Sequence, residues 1–280
     1  MMAQMVNGAR RVLVFDSGVG GLSVLDAIVA SGHALELDYA ADNAWLPYGL
    51  KSDEQLRERV PALLTALVAQ WKPDLVVVAC NTASTIALDQ VRATLSVPVV
   101  GVVPPIKPAA TLTKSGVIGL LATPATVQRA YTNDLIAQFA ADKAVVRFGS
   151  SALVEAAEQK LRGETPSAAA ITEAVAGLFG APGGADIDVV ALACTHFPLM
   201  VEQLAAAAPG HVTWLDSGAA IARRVANVLI ADAGQAHVNR AAFTDADAAR
   251  GLFPAFHKRA FKVMAAIGPA SEFGITAMRA

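Results

Sequence analysis

Cysteine is almost absent: the 280 residues contain two, Cys80 and Cys194. A chain this long builds a core without disulfide staples. Neither cysteine lies in a CxxC pair, and a tetrahedral metal site needs more ligands than these two supply. No uncharged run reaches the ~20 residues that cross a bilayer; the longest candidate, 75–88, is interrupted by polar side chains and closed by Asp89. Residues 1–11 hold no apolar stretch of the signal-peptide kind and are expected to form a short disordered leader, so the thiols are expected to be reduced and the protein cytoplasmic. Basic clusters are also lacking. The 22 Lys and Arg are scattered among 24 Asp and Glu, for a net charge of -2. That argues against nucleic acid as the substrate and against a membrane-surface role.

Apolar residues are plentiful, at 54%, with alanine supplying many of them. Short β-branched runs at 12–15, 75–79, 97–102, 117–121, 145–148, 188–193 and 212–215 suit strands covered on both faces. Leu56, Val60, Leu63, Leu64, Leu67, Val68 and Trp71 mark one face of a helix. Residues 126–140 predict a second amphipathic helix, and Asp216 or Ser217 a cap for a third from Ala219 towards Ile230. The alternation predicts an α/β fold with mainly parallel sheets. Val76-Val77-Val78-Ala79-Cys80-Asn81-Thr82 resembles Val189-Val190-Ala191-Leu192-Ala193-Cys194-Thr195-His196, 114 residues on. Two related halves, each presenting one cysteine at the carboxyl end of a strand, place both thiols at one cleft. Val103-Pro104-Pro105 marks the crossing between halves and Leu215-Asp216 the return. Residues 180–184 read as a loop. After Ala231 the pattern is less regular, and His257, Lys258, Arg259 and Lys262 read as a solvated helix face.

Four segments carry chemistry. Phe15-Asp16-Ser17-Gly18-Val19-Gly20-Gly21 joins a strand to a helix, and its backbone N–H groups suit an anion. Ser23 replaces the third glycine of a GxGxxG pattern, so a dinucleotide site is not expected. Asp16 reads equally as a helix cap or as a partner for an ammonium or proton-transfer group. Leu46-Pro47-Tyr48-Gly49 is a turn, and alone it says no more. Cys80-Asn81-Thr82-Ala83-Ser84 and Cys194-Thr195-His196-Phe197-Pro198 set hydroxyls, an amide and free N–H groups beside a thiol, a setting expected to lower its pKa from about 8.5. His196 is placed to relay a proton to Cys194. A single buried cysteine is more often a small hydrophobe than a catalyst. Two in matched settings fit inversion at carbon, which needs a base on one face and an acid on the other. No lysine segment stands out as a pyridoxal phosphate site.

At this point the chain resembles the glutamate racemases of the aspartate/glutamate racemase superfamily. The resemblance rests on Val14-Phe15-Asp16-Ser17-Gly18-Val19-Gly20-Gly21-Leu22, Pro47-Tyr48-Gly49, Ala79-Cys80-Asn81-Thr82-Ala83-Ser84, Pro98-Val99-Val100-Gly101-Val102, Ala122-Thr123-Pro124-Ala125-Thr126, Cys194-Thr195-His196-Phe197-Pro198-Leu199 and Asp216-Ser217-Gly218. It implies two related α/β domains, 1–103 plus 215–280 and 104–214, with mainly parallel central sheets and the active site in the inter-domain cleft. It implies cofactor-independent interconversion of L- and D-glutamate, supplying D-glutamate for peptidoglycan, with no metal. Cys80 would serve the D side and Cys194 the L side, assisted by Asp16 and His196. Asp16, Ser17, Tyr48, Gly49, Asn81, Thr82, Thr195 and His196 match substrate-binding positions, Thr123 and Thr126 a nearby hydroxyl pair, and Glu155 a carboxylate near the substrate amino group. Ala122-Thr123 stands where Gly-Thr is usual, and Phe148-Gly149-Ser150-Ser151 where a Cys-Pro run is commoner. The Gly149-Ser150 form and Pro104-Pro105-Ile106-Lys107-Pro108 are similar to the proteobacterial branch, some members of which are activated by UDP-N-acetylmuramoyl-L-alanine. A monomer or homodimer is expected.

Three other readings compete. Aspartate as substrate differs only in pocket shape. A contact role, such as the DNA gyrase binding reported for some members, is singled out by nothing in this sequence. A Cys80–Cys194 disulfide is disfavoured, because thiols with a substrate between them sit beyond the ~7 Å Cα separation it tolerates.

Overall fold

Val12 and Val14 of strand β1 (Arg10–Asp16) pack into one helical layer, while Leu13 and Phe15 pack into the other. That two-residue alternation, apolar on both faces, is why residues 12–15 carry no polar side chain. The chain is described over residues 9–269 and 273–278 of a computed structural model. The expected leader lies largely outside them, and its last residues, Arg10 and Arg11, belong to β1.

The remaining strands are β2 (Leu35–Ala41), β3 (Leu75–Val78), β4 (Val99–Gly101), β5 (Val117–Ala122), β6 (Ala144–Gly149), β7 (Val189–Leu192), β8 (Thr213–Leu215), β9 (His237–Phe243), β10 (Val263–Ile267) and β11 (Ile275–Ala277). They form a seven-stranded sheet, β11-β10-β9-β2-β1-β3-β4, and a four-stranded sheet, β6-β5-β7-β8. Every pairing is parallel except β10 with β11. The order β2-β1-β3-β4 recurs four strands later as β6-β5-β7-β8, so the short cysteine repeat in the sequence belongs to a repeat of whole sheets. Helices cover both faces of each, the α/β architecture expected.

The crossing after β4 leads through Pro104 and Pro105 into helix Ile106–Leu112, which packs on β7 and on helix Ala130–Phe139. After β8, helix Gly218–Leu229 returns to pack on helix Leu22–Val29 beside the larger sheet. The Ser217 hydroxyl donates to the Val103 carbonyl at 2.6 Å and ties the two crossing segments together.

Two local expectations change and one narrows to a single residue. The helix expected at 126–140 is two helices, Pro124–Gln128 and Ala130–Phe139, interrupted by extended backbone at Arg129. Its guanidinium reaches Asp53 of the other half at 3.0 Å. Ser217 precedes helix Gly218–Leu229 without capping it through its side chain; Asp216 Oδ1 accepts the Gly218 N–H at 2.7 Å instead. The segment after Ala231 supplies three strands, and Arg259 is no solvated residue, because its fork grips Asp26 at 2.7 and 2.8 Å. Among the described residues no helix is long and apolar enough to cross a membrane.

Asp188, just before β7, gathers the Thr113 hydroxyl (2.6 Å) and the N–H groups of Lys114 (2.7 Å) and Ser115 (3.0 Å). Burial acts to raise its pKa, but these donors outweigh it and hold the carboxyl at about 2, against an ordinary 3.8. A depressed carboxyl contributes stability above its unfolded pKa and loses it as pH falls through the folded one. Asp188→Asn is therefore expected to lower the thermal midpoint at neutral pH, with the gap to the parent closing as pH falls to about 2.

Candidate active site

Cys80 and Cys194 occupy equivalent places. Cys80 follows β3 after Ala79 and directly precedes helix Asn81–Ile86; Cys194 follows β7 after Ala193 and leads through Thr195 and His196 into a short 3-10 turn, Phe197–Met200. Both are buried and free. They line one cavity of about 30 Å³, together with Ser17, Leu46, Pro47, Tyr48, Gly49, Asn81, Thr82, Thr123, Thr126, Val154, Ala193, Thr195 and His196. That space holds a water or two. None of the lining residues is a lysine or arginine, so an anion there meets hydroxyls, an amide and backbone N–H groups.

Every residue singled out in the sequence lines this cavity except Asp16 and Glu155. Asp16 is fully buried behind it; its Oδ1 accepts the Gly18 N–H (2.9 Å) and its Oδ2 accepts the Thr195 hydroxyl (3.0 Å). Asp16 therefore bridges the halves, with burial pushing its pKa up. Thr123 caps helix Pro124–Gln128 and lies 2.9 Å from the Thr126 hydroxyl. The Tyr48 hydroxyl donates to buried Asp42 at 2.6 Å, and Arg59 grips the same carboxylate at 2.6 and 2.7 Å. The Asn81 side-chain oxygen is buried with no protein partner.

Glu155 is not placed as expected. It is exposed, paired with Arg162 at 2.8 Å, and borders an adjoining cavity that shares Leu46, Pro47, Gly49, Thr123 and Val154 with the one between the thiols. The carboxylate that reaches the site from helix Ala152–Leu161 is Glu158, which the sequence reading missed. Val154, a lining residue, and Glu158 stand four apart and share one helix face, whereas Glu155 is turned from Val154 by about 100°. Glu158 Oε1 lies 2.9 Å from His196 Nε2 and accepts the Val19 N–H at 3.2 Å. His196 Nδ1 in turn is 3.8 Å from the Cys194 sulfur. The result is a buried chain of Glu158, His196 and Cys194.

The electrostatics of the two thiols differ. Burial, reinforced by the Asp16 charge, pushes Cys80 up to about 12, outweighing the Ser17 hydroxyl at 3.5 Å. The lowered thiol expected from polar neighbours is thus reversed at Cys80, because desolvation disfavours its thiolate more than those neighbours favour it. Burial also acts to depress His196, yet its bonds to Cys194 and Glu158 prevail and hold it well above 6.5. Glu158 is lowered despite its burial, chiefly by the His196 hydrogen bond. His196, held protonated, thus stands beside the Cys194 sulfur, while Cys80 keeps its proton.

Comparison with known proteins follows the same lines. The Asp/Glu/hydantoin racemase family matches residues 13–251. The glutamate racemase of Sphingopyxis alaskensis is 56% identical over 217 residues, covering 78% of this chain and 81% of the relative. That of Shewanella sp. strain MR-4 is 47% identical, covering 86% and 90%. The crystal structure of Escherichia coli glutamate racemase with L-glutamate and the activator UDP-MurNAc-Ala superposes with a TM-score of 0.83 at 45% identity, over 92% of this chain and 97% of that one.

Proposed function

The chain belongs to the Asp/Glu/hydantoin racemase family and is an isomerase of the glutamate racemase type, and from that premise we propose that Cys80 and Cys194 racemise glutamate as an acid–base pair. The observation that carries this reading is that the two thiols line one buried cavity from matching strand ends of two repeated sheets. In the L-to-D direction the Cys194 thiolate takes the α-proton of L-glutamate. The electron pair passes into the α-carboxylate, and the planar carbanion takes the Cys80 proton on its other face. The product leaves with Cys194 as thiol and Cys80 as thiolate, and the reverse reaction restores the first state. Neutral donors among Ser17, Asn81, Thr82, Thr123 and Thr195 bind the carboxylates and stabilise the developing negative charge. The Asn81 oxygen, lacking a protein partner, is an acceptor for the substrate ammonium.

The finer parts of the reading rest on the resemblance. They are a division into domains 1–103 plus 215–280 and 104–214, supply of D-glutamate to peptidoglycan in the cytoplasm, and activation by UDP-N-acetylmuramoyl-L-alanine. The test is loss of optical rotation from L-glutamate and L-aspartate in parallel. Glutamate is expected to racemise and aspartate to remain; the opposite result would replace glutamate as substrate. Repeating the assay with the muramoyl nucleotide tests activation, which an unchanged rate would dismiss.

A further inference from the structure

The loop that follows β1 looks in sequence like an anion seat, but protein groups already occupy it. The Gly18 N–H is bound by Asp16, and the Val19 N–H by Glu158 of the other half. The space that side chains would fill is taken as well. A Cβ on Gly18 would lie 2.8 Å from Glu158 Oε1. A Cβ on Gly20 would lie 2.5 Å from His196 Nδ1 and 2.6 Å from Thr195 Oγ1. The Tyr39 hydroxyl holds the Gly18 carbonyl from behind at 2.8 Å, and the Ser23 hydroxyl donates to the Thr195 carbonyl at 2.8 Å. Glu158, Thr195 and His196 therefore rest flush on a bare stretch of the first half's backbone.

The cavity between the thiols is only about 30 Å³, and widening it for substrate moves the halves apart. Parting breaks the Val19–Glu158, Asp16–Thr195 and Ser23–Thr195 bonds together. Cys80, by contrast, has Ser17 and the Ala83 N–H as partners, both on its own half.

We propose that Gly18 and Gly20 are positioning residues: they form a seat against which Glu158 and His196 dock as the cleft closes, so that the Cys194 side of the site is assembled only in the closed protein while the Cys80 side is preassembled. This rests on the assignment of Cys194 to L-glutamate and Cys80 to D-glutamate. At Gly20 an added methyl finds no easy relief, because Glu158 holds the His196 ring and Asp16 holds the Thr195 hydroxyl. The second half must back away, and a displacement on the order of 1 Å costs about 100-fold in rate.

The test is Gly20→Ala in the full chain, with α-deuterium uptake from heavy water followed separately for each enantiomer. Inversion is expected to fall about 100-fold. L-Glutamate should lose exchange with it, whereas D-glutamate should continue to take up deuterium with retention of configuration. A merely structural role would depress both enantiomers alike, and that outcome, or unchanged inversion, overturns the proposal. Gly18→Ala, which meets only the end of a flexible glutamate, should show the same one-sidedness with a smaller loss, and it decides the matter if Gly20→Ala does not fold. Cys194→Ala is run beside them. If it still exchanges L-glutamate, the thiol assignment has failed, whatever the glycine variants do.

Discussion

Cys194→Ala is expected to abolish racemisation from either enantiomer, a loss of up to about 10,000-fold, while leaving D-glutamate open to slow α-proton exchange. A positioned acid or base contributes up to about that factor, and here the missing group serves as base in one direction and acid in the other. Because the enantiomers have equal free energy, kcat/KM must be identical in the two directions for any variant, so turnover alone cannot say which face was damaged. Isotope uptake can. In Cys194→Ala the Cys80 thiolate still reaches the α-proton of D-glutamate and returns a solvent deuteron to the same face. Cys80 must first ionise from about 12, so this exchange should be slow at neutral pH and climb with pH. Cys80→Ala is the mirror case: exchange survives only in L-glutamate, through Cys194 and the His196 beside it. Rotation assays and proton NMR of the α-position check both. Inversion surviving in either variant defeats the two-thiol mechanism.

Much of this was legible in the sequence, for a physical reason that also explains what was not. The strands carrying Cys80 and Cys194 are buried on both faces, so their apolar runs declare them. β2 carries Glu36 and Asp38, and an apolar run broken by two acids does not read as a strand. Those acids find their partners about two hundred residues away on β9, where Arg240 grips Asp38 at 3.0 Å and Asn239 donates to Glu36 at 2.6 Å. β9 was obscured by the same two polar residues. A pairing that long-range leaves no local pattern. The break at Arg129 is likewise settled by the contact it makes across the cleft. Site residues at strand ends, such as Asp16, Ser17, Asn81 and Thr195, sit in recognisable motifs. Glu158 lies in mid-helix, where the sequence does not distinguish a buried carboxylate from a solvated one three residues away.

Glu158→Gln is the sharpest test of that residue, because it removes the charge and keeps the shape. The variant should lower kcat/KM by about 100-fold, the lower end of what a positioned acid–base group contributes. The pH dependence should move in a definite direction. His196 stands well above 6.5 partly because of Glu158. Without that carboxylate the imidazolium gives up its proton at lower pH, and the alkaline loss of activity should shift downward. Stability obeys the same linkage. A raised histidine contributes fully below its unfolded value of 6.5 and loses that contribution as pH rises through the folded one; a lowered glutamate contributes above 4.5 and loses its share as pH falls through its folded value. The cost of Glu158→Gln, about 3 kcal/mol for a broken buried pair, should therefore be largest between those two ordinary values and shrink on either side. Denaturant unfolding across that range, read beside the activity profile, separates the outcomes. An alkaline limb that stays in place would show that Glu158 holds His196 in position without setting its charge.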